Sequence, residues 1–153
     1  MGAVSTMITL SVAEAPRASA DPLPDYCTLN LSTGDYSCTT VNPDGVGGLA
    51  QQVAALTTSV LLGRFYDDPN RDPSNGYFNV TAATGCDGNP DLDYTLGVMP
   101  SGWNDRVSSF QGYNSCSIKL WQDGHASGTS WGPATYADSL GSMNNQASSI
   151  TFY

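Results

Sequence analysis

At 153 residues the chain is long enough for one domain with a real hydrophobic core, or for one domain and an extension. It carries 14 acidic side chains against 5 basic ones, a formal charge of −9, and Lys119 is its single lysine. That balance excludes a basic nucleic-acid surface, which needs clustered Lys and Arg, and no stretch approaches the roughly 20 apolar residues that span a bilayer.

In chain order, residues 1–20 come first. Ala3 to Ala13 is small and moderately apolar, and Ala18-Ser19-Ala20 makes an A-x-A site before Asp21-Pro22. This pattern predicts the back half of a secretory signal peptide, and hence an extracellular protein. Residues 21–60, with Pro22, Pro24, Pro43 and a Gly45-Val46-Gly47-Gly48 run, predict an extended arm holding one small hairpin outside the main core. Four cysteines in a small secreted chain imply disulfides, and three pairings are open. Cys27 and Cys38 bracket a Ser32-Thr33-Gly34-Asp35 turn and suit a stapled hairpin, leaving Cys86 for Cys116. Zinc is a weak rival, with no C-x-x-C and one histidine.

Leu49 to Leu62 is ambiguous between a short helix and a strand entry. From residue 61 to 153, short β-prone runs alternate with turn signals, as in a sandwich or barrel: Leu61–Tyr66, Tyr77–Thr81, Val107–Phe110, Ser117–Trp121, Thr129–Trp131 and Ser148–Phe152. Few charges, 13 Asp beside the lone Glu14, and abundant Gly, Ser, Thr and Asn fit this all-β reading.

The same region contains a weak internal duplication. Each half has an aromatic-ended strand, an acidic turn, a Gly-led second strand, and an Asn-rich loop feeding a strand through Ser-Ser. The loops form two hexads, Asn104-Asp105-Arg106-Val107-Ser108-Ser109 and Asn144-Asn145-Gln146-Ala147-Ser148-Ser149. Both fit Asn/Asp–Asn/Asp–x–x–Ser/Thr–Ser, and in this the chain resembles the microbial βγ-crystallin family with its double-clamp calcium motif. The resemblance implies a sandwich of two Greek keys over residues 61–153 and two calcium sites, each made from one hexad and the other half's acidic turn. By position, the first would use Asp105, Ser108 and Asp123, and the second Asn145, Ser148 and Asp67 or Asp68. Main-chain oxygens near Arg106, Gln146 and Gly124 would complete the shells. Independently of the family, calcium takes six to eight oxygens, which loops alternating Asn/Asp with Ser supply from few residues. Asn145 is neutral where Asp105 is charged, so the Asp105 site is expected to be the tighter.

The strand-end aromatics Phe65, Tyr66, Tyr77, Phe78, Trp103, Trp121 and Trp131 read as core rather than as a sugar-binding surface. Gly76 and Gly128 are expected to turn the hairpins with positive φ. Catalysis has little support: His125 is the only histidine, and no G-x-S-x-G elbow accompanies it. The acidic run Asp87 to Asp93 lacks the terminal Glu of an EF-hand loop. The expected protein is therefore secreted, non-catalytic and calcium-binding. Its rival is a protein-binding module that docks on a secreted partner through residues 21–48. The same fold resembles that of actinobacterial secreted metalloproteinase inhibitors and a killer-toxin-like protein, so the rival would be a protease inhibitor or an adaptor subunit of a toxin complex.

Overall fold

The computed structural model describes residues 25–45 and 59–153, so the expected signal segment and the first part of Leu49–Leu62 lie outside the described residues. Ten strands form two sheets, and no α-helix occurs among the described residues. They are β1 (Asp25–Asn30), β2 (Tyr36–Thr39), β3 (Val60–Tyr66), β4 (Gly76–Ala82), β5 (Tyr94–Leu96), β6 (Ser109–Gly112), β7 (Ile118–Asp123), β8 (Ser127–Ala134), β9 (Tyr136–Ala137) and β10 (Ser149–Phe152). One sheet runs β2-β1-β4-β3-β6-β9 and the other β5-β10-β7-β8.

Two four-strand units are visible in that order. In the first, β3 and β4 form a hairpin, β5 crosses to pair with β10, and β6 returns to lie beside β3. In the second, β7 and β8 form the hairpin, β9 crosses to β6, and β10 returns beside β7. Each half is thus a Greek key that lends its third strand to the other's sheet. The expected runs from Leu61 onward all fall on strands; only the short exchanged strands β5 and β9 went unforeseen, being two or three residues with little pattern to read.

Alternation in these strands sends one set of side chains between the sheets. Phe65 sits at the centre of that core, its ring 6.0–6.3 Å from those of Phe78, Phe110 and Phe152. Trp103 is fully buried and stacks on Phe78 at 5.9 Å, while Trp121 and Trp131 are half-buried. Large rings therefore fill the sandwich as expected, each aromatic contact adding about 0.5–1.5 kcal/mol beyond area burial.

The N-terminal hairpin corrects one expectation. Cys27 pairs directly with Cys38 across β1 and β2 and is disulfide-bonded to it, but the hairpin is no detached arm. β1 adds in parallel to β4 from Asp25↔Gly76 to Asn30↔Thr81. Cys27 is only 2% exposed and belongs to the main core, with Leu29 and Leu31 packed against it. The reason is the free edge of β4, whose unpaired backbone groups the Tyr26–Leu29 run can satisfy. Cys86 is bonded to Cys116, tying the irregular segment before β5 to the β6–β7 turn across 30 residues. Closing such a loop is worth about 3–4 kcal/mol in the chain-entropy model.

Candidate functional site

At one end of the sandwich the hexads and hairpin turns correspond residue by residue. The Ser108 N–H donates to the Tyr66 carbonyl at 2.9 Å, and the Ser148 N–H to the Trp121 carbonyl at 2.8 Å. Ser109 Oγ donates to the Asp68 carbonyl at 2.6 Å and accepts the Arg71 N–H at 2.9 Å. Ser149 Oγ donates to the Asp123 carbonyl at 2.6 Å and accepts the Ala126 N–H at 3.0 Å. Each Ser-Ser pair therefore pins the turn of its own half. These turns carry matched left-handed residues, Asn70 and Arg71 at φ 60° and 58°, His125 and Ala126 at 58° and 54°.

The second residue of each hexad leans the other way. The Asp105 N–H donates to the Ala147 carbonyl and the Asn145 N–H to the Val107 carbonyl, both at 3.0 Å, so the loops clasp reciprocally. Asp105 and Asn145 are again left-handed, at φ 58° and 56°, a conformation that Asp and Asn tolerate better than most residues. Ser148 Oγ donates to Asp105 Oδ1 at 3.4 Å, and Ser108 Oγ to Asn145 Oδ1 at 3.2 Å.

This corrects the grouping read from the sequence. The serines are exchanged: Asp105 is bonded by Ser148, whose N–H reaches the Trp121 carbonyl ahead of the Asp123 turn, and Asn145 by Ser108, whose N–H reaches the Tyr66 carbonyl ahead of the Asp67–Asp68 turn. The cause is strand pairing. Ser108 and Ser109 lead into β6, which pairs with β3, so they cannot leave the β3–β4 turn; Ser148 and Ser149 are bound likewise through β10 and β7.

The acidic residues are not equivalent. The Asp67 carboxylate is taken by the Arg106 Nε at 3.0 Å. Asp68 Oδ2 is buried with no hydrogen-bond partner, an unsatisfied anionic oxygen on the turn that Ser109 holds. The Asp123 carboxylate lies over the α-carbon of Gly128, whose φ of 77° admits no side chain easily. Asp105 also accepts a bond from Asn104 Nδ2 at 2.8 Å. No cluster of three or more His, Cys, Asp or Glu side chains occurs among the described residues. What each loop pair offers instead is one side-chain oxygen of Asp or Asn, one hydroxyl, and the carbonyls of a strained turn, a donor set of the hard kind that suits calcium.

Arg106 is the participant that sequence reasoning passed over. It bonds Asp25 and Asp67 at 3.0 Å each, and its guanidinium lies 4.6 Å from the centre of the Trp103 ring. Burial works against its charge, but the bonds to Asp25 and Asp67 outweigh it and hold its pKa above the ordinary arginine value. The available signal was the contrast between Arg106 and Gln146 at matching hexad positions. His125 is exposed, its ring against Gly97, and the Asp87–Asp93 loop is folded on itself through exposed Asx bonds.

Two Greek keys with exchanged third strands, clasped by paired hexads, make this a βγ-crystallin-like fold. No protein-family model matches the chain, and no curated protein matches it. Among solved structures it is similar to the N-terminal domain of protein S, at 15% identity over 60% of this chain and 94% of that one, with a TM-score of 0.44. It is also similar to a βγ-crystallin domain from Clostridium beijerinckii. A single mutant of that domain is 19% identical over 60% of this chain and 97% of that one, with a TM-score of 0.43. A double mutant is 21% identical over 60% and 96%, also at 0.43.

Proposed function

We propose that the protein is a secreted, non-catalytic calcium-binding module with two sites, Asp105–Ser148 on the Asp123 turn and Asn145–Ser108 on the Asp68 turn. The observation that carries this reading is the reciprocal clasp, which brings an acid or amide oxygen and a hydroxyl together twice by the same bonds. The buried, unpartnered Asp68 oxygen supports it, because a cation would satisfy that group. The first site has the charged Asp105; the second relies on Asp68 for charge, since Arg106 neutralises Asp67. The Asp105 site is therefore the tighter.

Binding acts by closing the loops and stabilising the sandwich through mass action. Two disulfides fit an oxidising compartment, and no helix among the described residues is long and apolar enough to cross a membrane. Thermal melting in millimolar calcium and in chelator tests the reading: the midpoint rises with calcium, and coincident midpoints would refute it.

A further inference from the structure

The two hexads differ most in what their third residues do. Gln146 is exposed, whereas the Arg106 side chain is 24% exposed and bonds four residues, in its own loop, in the β3–β4 connection and in β1. Its Nη1 donates to Asp25 Oδ2 at 3.0 Å and to the Gly102 carbonyl at 3.3 Å. Its Nη2 donates to the Asn75 carbonyl at 3.1 Å, and its Nε pairs with Asp67. Asp25 is the first residue of β1 and stands opposite Gly76 at the start of the parallel pairing with β4. There the backbones approach so closely that a Cβ on Gly76 would collide with the Asp25 backbone.

From this geometry we infer that Arg106 is a positioning residue that couples ion binding at Asp105 to the docking of the N-terminal hairpin on β4. The inference rests on the calcium reading above. Asp105 and Arg106 are adjacent, so an ion that grips the Asp105 carboxylate fixes the backbone from which the guanidinium projects. The long side chain then has less freedom to lose in reaching Asp25, Asn75 and Asp67, and the β1 end is held more firmly. By linkage the effect is reciprocal: a docked hairpin tightens the Asp105 site by the same factor. Among the described residues the second half shows no such device, because Gln146 is exposed and β8, the strand equivalent to β4, is the end strand of its sheet.

The test is amide hydrogen exchange of residues 26–30 in calcium and in chelator, with residues 118–120 of β7, at the end of that strand away from the Asp123 turn, as internal reference. In the wild type, calcium slows exchange in β1 by about fivefold or more relative to β7, the lower end of ordinary allosteric couplings. Arg106→Gln, which copies the second hexad, abolishes that differential slowing. Asp25→Asn does so too while leaving every residue of the ion sites in place, and guards against Arg106→Gln acting by misfolding. Arg106→Lys restores it only in part, since an ammonium cannot span both carboxylates as a fork. A wild type whose melting point rises with calcium while β1 and β7 slow equally overturns the coupling and leaves the calcium sites standing. Differential slowing that survives in Asp25→Asn also overturns it. No response of melting or exchange to calcium overturns both.

Discussion

The exchanged serines make a sharp prediction about which substitutions interact. Asp105→Ala and Ser148→Ala strike one site, whereas Asp105→Ala and Ser108→Ala strike two. A site with a dissociation constant of about 10⁻⁴ M stabilises the fold by about 2.7 kcal/mol in roughly 10 mM calcium. Asp105→Ala removes that whole increment. Ser148→Ala alone, weakening the site about tenfold, removes about 1.4 kcal/mol, and nothing further once Asp105 is gone. The calcium-dependent coupling energy is thus about 1.4 kcal/mol for the Asp105–Ser148 pair and near zero for the Asp105–Ser108 pair. Each variant is unfolded in urea with calcium and with chelator, so the cost of placing Ala at the left-handed Asp105 position cancels in the difference. Coupling between Asp105 and Ser108, with additivity between Asp105 and Ser148, would refute the crossed arrangement.

Two further outcomes concern the scaffold. Gly76→Ala and Gly128→Ala both place a side chain at positive φ, but the first meets the Asp25 backbone and the second only the movable Asp123 carboxylate. Gly76→Ala therefore costs about 3 kcal/mol and loosens β1, against about 1 kcal/mol for Gly128→Ala, as read by urea denaturation; equal losses would contradict the parallel docking of β1. Stability also falls in alkali. Burial raises the pKa of the Tyr77, Tyr66 and Tyr36 phenols above their ordinary 10.0, with Asp25 adding to the effect on Tyr36. A raised folded-state pKa leaves stability intact below pH 10 and erodes it as pH climbs above that value. Urea midpoints from pH 8 to 11 should drop in the last unit, less so in Tyr77→Phe, and a flat profile would contradict the burial.

How far the sequence could be read follows from which interactions are local. The strands from Leu61 onward, the positive φ of Gly76 and Gly128, and the duplicated turns all leave periodic or residue-type signals within a few positions. Both disulfides were accessible through the bracketed turn at Ser32–Asp35. The serine exchange was not, because it depends on β6 lying beside β3 and β10 beside β7, pairings made across 43–49 and 28–34 residues by no local pattern. The seating of β1 on β4 failed for the same reason: a proline-flanked segment with a turn looks the same whether it ends free or at a sheet edge. Arg106 was hidden by its position as an unconstrained residue of the hexad, and its partners Asp25 and Asp67 are distant in the chain.

The most direct measurement is a calcium titration followed by backbone amide NMR. Shifts should gather at residues 66–71, 104–109, 121–126 and 144–149 and saturate by about 10 mM, with the Asp105 and Ser148 group responding first. Shifts confined to the Asp87–Asp93 loop, or none at that concentration, would contradict calcium binding at the crossed hexads.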